Sequence, residues 1–382
     1  MKKFLVLSVL AIMLFSSFFA FAANKTSNFV VGINYFGNQG VLITLANNSK
    51  YVIEYFDGSV IMVDDNFTVD KIVTDIENLI ATGVDGLVVW TPTPTLYPII
   101  SQMCLKAKVP FVLSDKVPEQ QALRDQLRQN PYFVGGVGPA NEEYGIEVAN
   151  YALSQGWKTC IVNTTAPGDP TDEPRLIAFR KAYEAGGGKI LDIARSSSGD
   201  QTGQAATENS LIAHPNPDFI YGVGSALGIG AVRALEKFNY NTKVVTSGLE
   251  EEILNYLAEG KIAMANGDYW VSGTYAAIML QNYLEGFPLK DENGQAPIYD
   301  QVGFFNVESQ QVDLFKKCFI YQPIYSKSEI LQMSGKNNKD FDFKAFVKVI
   351  ENYTLEDRVA QKLKEGIVTE EEVISAGINI NK

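Results

Sequence analysis

Residues 218–235 read DFIYGVGSALGIGAVRAL. An apolar run, Phe219–Val223, meets Gly222, Gly224, Gly228 and Gly230, and a helix-forming run follows from Gly230. Strand, glycine turn and helix together are the layout of a nucleotide-binding loop, in which backbone N–H groups at a helix N-terminus cradle a phosphate. The spacing departs from G-x-G-x-x-G. Counted from Gly222, the sixth position is Leu227, and glycine arrives only at Gly228. No acid stands clearly where such a site holds its ribose. The stretch therefore reads as a strand-to-helix turn of an α/β fold without a cofactor. Its glycines allow a tight turn and close approach of backbone to a ligand.

Working outward, the same unit recurs along the chain. Strand-like runs occupy 28–36, 60–65, 86–90 and 110–114, each short and apolar. Between the second and third, Ile72, Ile76, Leu79 and Ile80 recur at helical spacing, with Asp70, Lys71, Asp75 and Glu77 elsewhere and Gly83 closing the helix. The pattern then restarts. Strands at 132–138, 159–163, 189–194, 218–223, 243–247 and 262–267 alternate with helices at 142–155, 174–185, 203–213, 226–238, 250–259 and 272–284. Apolar strands alternating with helices predict parallel sheets covered on both faces. The fold class is α/β: two doubly wound parallel-sheet lobes, followed by a C-terminal helical extension at 326–382. That extension is expected to be two or three helices on the outside of the lobes, with Thr369-Glu370-Glu371-Glu372 matching a capping box.

The ends and the composition set the compartment. Lys2 and Lys3 precede the apolar run Phe4–Phe21, and Ala20-Phe21-Ala22 forms a small-x-small cleavage site, so residues 1–22 read as a secretory signal peptide. An uncleaved anchor is the alternative, which the Ala-x-Ala site opposes. No later run approaches the ~20 apolar residues of a spanning helix, so an exported, soluble protein is expected. The formal net charge of −12 becomes more negative once the leader's two lysines are removed, which opposes nucleic-acid binding. About 360 residues remain, too many for one compact core. Cys104, Cys160 and Cys318 make an odd count, so at least one is free or pairs between chains, and the first two sit in apolar runs that suggest buried thiols. The single histidine, His214, lies among prolines in a turn, which excludes a His-rich zinc site. "KDENGQ" (290–295) lacks the spacing of a calcium loop. No metal site is expected.

In an open parallel sheet, ligands bind beyond the carboxyl ends of the strands. The residues there include Tyr35, Phe36, Trp90, Asp115, Lys116, Ser225, Gly248, Asp268, Tyr269 and Trp270. Aromatic faces beside a few polar groups suit a small polar ligand with an apolar face, such as a sugar ring. No G-x-S-x-G, zinc-type spacing or P-loop points to catalysis.

The stretch IVTDIENLIATGVDGLVVWTPTPTLYPIISQMCLKAKVPFVLSDK (72–116) resembles a region of type I periplasmic solute-binding proteins of the ribose- and galactose-binding kind. There a helix leads to Gly-Val-Asp-Gly, a strand, a Pro-containing loop, a helix and then Ile-Pro-Val-Val…Asp-Arg. "RLIAFRKAY" (175–183) and "LGIGAVRALEKFNY" (227–240) resemble two further helices of that family, and the likeness covers roughly 28–325. The resemblance implies lobes at 28–134 with 267–300 and at 138–265 with 302–325. It also implies three crossings, near Gly135, Asn266 and Gln301, and hinge closure on a ligand. Asp115 and Arg175 keep the family's residues. Lys116 stands for Arg, Trp90 for a frequent Asn, Ala140 for Asp, Gly267 for Gln, and Ser225 for an Asp that contacts a sugar hydroxyl. The hydrogen-bond set for a common pyranose is thus depleted, and Arg175 and Lys116 would tolerate an anionic group.

The resemblance implies an extracytoplasmic sugar-binding protein, a monomer that delivers its ligand to an inner-membrane ABC permease. The binding residues expected are Tyr35, Phe36, Trp90, Asp115, Lys116, Arg175, Ser225, Gly248, Asp268 and Trp270. Trp90 and Trp270 would stack on the ligand. A sensor presenting ligand to a chemoreceptor or histidine kinase, a binder of a nucleoside or furanose-like signal, and an exported enzyme remain as alternatives.

Overall fold

The computed structural model of the chain describes residues 28–38, 40–267 and 270–380. The expected leader and the site residue Asp268 lie outside the described residues.

Among the described residues, twelve strands form two six-stranded sheets. They are β1 Val30–Tyr35, β2 Ser59–Asp64, β3 Gly86–Val89, β4 Phe111–Ser114, β5 Phe133–Pro139, β6 Thr159–Thr164, β7 Lys189–Arg195, β8 Phe219–Gly222, β9 Lys243–Ser247, β10 Ile262–Gly267, β11 Ile298–Val302 and β12 Phe305–Glu308. The first sheet runs β11-β5-β4-β3-β1-β2 and the second β12-β10-β9-β8-β6-β7. The two orders are the same, so the repetition is architectural. Inner strands β3, β4 and β5 are buried at every position, as strands covered on both faces must be. The first sheet is parallel throughout, but β12 pairs antiparallel to β10, with Gly267 opposite Phe305. Strands β11 and β12 were not legible in the sequence. Each is an edge strand with exposed positions, and edge strands lose the continuous apolar signal.

The chain leaves the first sheet after Pro139, returns after Gly267 and crosses again between Val302 and Phe305. Helix Val271–Leu284 lies on the first sheet and is buried from Val271 to Asn282. Its Gly273 meets helix Gly40–Tyr55 so closely that an added Cβ would lie 2.1 Å from the Leu45 carbonyl oxygen, and Ser49 donates to the Gly273 carbonyl at 2.8 Å.

The C-terminal extension departs from the expectation of two or three outer helices. Among the described residues it holds four, Lys327–Gln332, Phe343–Glu351, Leu355–Lys364 and Glu370–Ser375. It is also part of the main core rather than a coat. Tyr353 stacks on Phe305 of β12 at 4.7 Å and meets Tyr275 of the helix on the first sheet at 6.3 Å. Phe346, Ile350 and Val359 share one buried cluster with both lobes. Arg358 anchors the extension through Glu329 at 2.6 Å and the Ile324 carbonyl at 2.7 Å, lying over the Tyr325 ring. The capping box at Thr369 and Glu372 is formed, and a second joins Ser326 to Glu329. All three cysteines are buried and free.

Candidate functional site

Each sheet has a point where the strand order reverses, between β1 and β3 in the first and between β6 and β8 in the second. Chains leave such a point in opposite directions and open a crevice at the carboxyl ends. On the first sheet, Phe36 and Trp90 flank that crevice, their rings 5.3 Å apart. On the second, Thr165 and Val223 directly follow the equivalent strands, and Ser225 starts the helix just beyond. The helices that start here, at Asn141, Asp200, Ser225 and Val271, have no side-chain N-cap bond, whereas Thr354, Asp342 and Thr369 cap helices of the extension. The helix starts beside the crevice thus keep backbone N–H groups that their N-cap side chains do not occupy.

The first wall is built around Trp90. Its backbone N–H donates to Asn34 Oδ1 at 3.0 Å, and its carbonyl accepts from Asn34 Nδ2 at 2.8 Å. Its indole Nε1 donates to Asp115 Oδ2 at 2.9 Å. Asp115 directly follows β4 in the left-handed region, at φ 66°, and is 4 % exposed. Its Oδ1 has no hydrogen-bond partner among the described residues. A buried carboxylate oxygen without a donor is costly, so this atom marks a place where a ligand donor belongs. Lys116 Nζ lies 3.9 Å from Asp115 Oδ2 and donates across the crevice to Thr171 Oγ1 of the second lobe.

The second wall is built around Ser225, the first residue of helix Ser225–Phe238. Its hydroxyl donates to the Glu250 carboxylate at 2.8 Å. Partial burial pushes the Glu250 carboxyl above its usual range, against the opposing pull of Ser225, the Glu250 backbone, the Val41 N–H and Arg175. The first lobe also meets Glu250, because an added Cβ on Gly40, the first residue of helix Gly40–Tyr55, would lie 3.4 Å from Glu250 Cγ. Gly248 has φ 137°, and a Cβ there would fall 2.0 Å from Ser225 Oγ, so only glycine lets this pair form. The sequence placed Gly248 at the ligand. The structure places it one layer behind, as the turn that aligns Ser225 and Glu250.

Arg175 also stands one layer back. It is 2 % exposed, donates from Nε to Asn141 Oδ1 at 3.0 Å and lies over the Tyr144 ring. Asn141, not Arg175, faces the crevice. Tyr35 is half-buried and lines neither chamber, and its hydroxyl is raised by burial and by Asp64 and Asp65.

The crevice has two chambers joined at Pro92, Lys116 and Pro170. The hinge-side chamber, about 410 Å³, is lined by Asp115, Lys116, Asn141 and Asp300 among others. The wide chamber, about 1130 Å³, carries Phe36, Trp90 and Trp270 facing Ser225 and Glu250. Phe36, Trp90, Asp115, Lys116, Ser225 and Trp270 therefore converge. Two lining cations, Lys116 and Arg124, are engaged by Asp115 and Asp300. With Arg175 withdrawn from the surface, the lining does not offer an anionic group the cations that the sequence suggested.

The glycine-rich turn has a different use from the one its layout suggests. A Cβ on Gly222 would meet Gly228, one on Gly228 would meet Thr246, and one on Gly230 would meet helix Asp200–Ala213. These glycines let the chain pack on itself. Among the described residues, no group of three His, Cys, Asp or Glu side chains could hold a metal ion. Sequence reasoning missed Asn34, Glu250 and Thr171. A polar residue inside an apolar strand was the available signal for Asn34.

Residues 32–287 match the family described as periplasmic binding protein domain. An L-arabinose-binding periplasmic protein of an ABC transporter in Azospirillum brasilense is 23% identical over 217 residues, 52% of this chain and 64% of that protein. A xylose/arabinose-binding protein of Sulfolobus acidocaldarius is 25% identical over 167 residues, 42% of this chain and 40% of that protein. The chain thus spans less than two thirds of the length of these relatives. A periplasmic ribose ABC transporter structure from Conexibacter woesei superposes with a TM-score of 0.65 at 20% identity, covering 78% of this chain and 97% of that one. At that identity the superposition shows the fold. No helix among the described residues is long and apolar enough to cross a membrane.

Proposed function

This chain belongs to the periplasmic binding protein family, and from that premise we propose that it captures an uncharged sugar or sugar derivative in the crevice and hands it to an ABC permease. The observation that carries the reading is the pairing of Trp90 with Asp115. One side chain offers an aromatic face to an apolar ring face, and the other keeps a carboxylate oxygen for a hydroxyl donor. Asn141 and Lys116 supply further polar contacts, and Trp270 and Phe36 complete the apolar wall.

The lobes, 28–134 with 267–300 and 138–265 with 302–325, would close on the ligand about the three crossings. Lys116–Thr171, and the packing of Glu250 against Gly40, are contacts between the lobes that would hold them closed. The closed surface is what the permease would recognise, with the protein acting as an exported monomer and without catalysis. The names of the relatives, which are arabinose- and xylose-binding proteins, support a sugar. The engaged cations support an uncharged one.

The test is mass spectrometry of small molecules released on denaturing the purified protein. A neutral sugar near one equivalent supports the reading. A nucleotide, a sugar phosphate or an amino acid at that amount replaces it.

A further inference from the structure

The wide chamber is larger than a single sugar ring requires. It holds about 1130 Å³, whereas pockets that enclose a drug-sized ligand hold roughly 300–1,000 Å³. Further closure does not account for the space. The two lobes already meet, through Lys116 and Thr171 and where Glu250 packs against Gly40.

The lining is also of the wrong kind for hydroxyl groups alone. Beside Trp90 and Ser225 it includes Val41 and Leu42 from helix Gly40–Tyr55, Ile229 from helix Ser225–Phe238, and Phe67 and Ile320. A hydroxyl set against aliphatic side chains gives up its water without gaining a partner. The chamber's carboxylates are largely engaged within the protein. Asp200 and Glu252 hold Arg233, Glu250 accepts from Ser225, and Asp169 accepts from the Thr171 and Asp172 N–H groups. The lining that remains favours an uncharged apolar group.

Phe67 is the side chain that burial explains least. It is 47 % exposed, yet its backbone sits in the left-handed region at φ 56°, directly after Asn66 at φ 51°. A bulky residue there is strained and persists only where its surroundings fix it. They do so here. The Phe67 N–H donates to the Phe36 carbonyl at 2.6 Å, the Asn66 N–H to Asp64 Oδ1 at 2.7 Å, and the Thr68 N–H to the Asp65 carbonyl at 3.0 Å. A Cβ on Gly37 would lie 2.2 Å from the Phe67 ring, so only glycine leaves room for it. The ring stands edge-on to Phe36 at 5.7 Å, and Phe36 lies 5.3 Å from Trp90. An aromatic run therefore leads from the tryptophan of the sugar site to a strained, half-exposed ring that lines the same chamber.

We propose that the ligand is a glycoside with an uncharged aromatic aglycone. Its sugar meets Trp90 and Asp115, and its aglycone fills the wide chamber against Phe67, Val41, Leu42 and Ile229. The sugar half of this ligand rests on the sugar-binding reading, whereas the apolar subsite does not.

The test compares methyl and phenyl glycosides of L-arabinose, D-xylose and further neutral pentoses and hexoses by calorimetry on the purified chain. Nile red, an uncharged apolar dye, reports the chamber separately by fluorescence. The phenyl glycoside is expected to bind about tenfold more tightly than the methyl glycoside of the same sugar. Phe67→Asn keeps a residue that tolerates the left-handed turn and removes the ring, so it should cut that ratio to about twofold and weaken Nile red binding severalfold. Equal affinities for the two glycosides, or a ratio unchanged in Phe67→Asn, overturn the inference and leave sugar binding standing. If Phe67→Asn does not fold, Ile229→Gln places a good helix former in the same lining and is read in the same way. Nile red held by the wild type and released by Phe67→Asn, with no glycoside of either kind bound, rejects the proposed function and the glycoside with it, and leaves the apolar subsite alone.

Discussion

Trp90 combines two roles in one side chain, since its face lines the crevice while its N–H holds Asp115. Trp90→Ala removes both, and a loss of sugar affinity of at least tenfold, about 1.4 kcal/mol, is expected by calorimetry. Trp90→Phe keeps an aromatic face but leaves Asp115 without that donor, so its loss should be smaller yet measurable. Equal affinities for all three proteins would show that the ligand sits elsewhere. Phe36, Trp90, Asp115 and Lys116 were legible because they lie within two residues of the end of an apolar strand, where ligands of parallel sheets bind. Arg175 was legible as a residue type but not as a depth. Helix Asp172–Ala185 turns it inward onto Tyr144, and nothing in the spacing of one helix reports what lies beside it. Asn34 escaped because its partners Asp65 and Trp90 are 31 and 56 residues away, just after β2 and just after β3.

At the scale of elements, the Gly248 turn and the Ser225–Glu250 pair form one unit. Gly248→Ala forces a side chain into φ 137° and against Ser225 Oγ. A loss of about 1–3 kcal/mol in chemical denaturation is expected, and an unchanged midpoint would show that the turn relaxes freely. The Asp65 carboxyl gives a pH signature. Burial raises its folded pKa to about 7, above the usual carboxylate range. Its contribution to stability is therefore complete below about pH 4 and lost as pH rises through 7. Wild-type stability should fall over that window relative to Asp65→Asn, and parallel pH profiles for the two would contradict this. The alternation of strands and helices was readable because inner strands are apolar throughout. Strands β11 and β12 were not, since each has one open edge and polar residues on it.

At the scale of the molecule, the extension from 326 onward ties both lobes together. Tyr275, Tyr353 and Phe305 form a continuous aromatic contact across them. The sequence showed helices and one capping box there but could not show which core they complete, because their apolar positions match surfaces formed by residues far earlier in the chain, such as Phe305 and Tyr275. A chain ending at Tyr325 would expose that surface and should lose most of its soluble yield or melt many degrees lower. An unchanged melting temperature would make the extension a coat after all.

The central claim is that Trp90 and Asp115 bind an uncharged sugar in the crevice. The most direct measurement is calorimetric titration of the protein with neutral pentoses, hexoses and their furanose forms, alongside sugar phosphates. At least one neutral sugar should bind in the micromolar range or tighter, lose tenfold or more in Trp90→Ala, and outcompete its phosphate. Tighter binding of the phosphate, or a sugar held equally well by Trp90→Ala, would contradict the account.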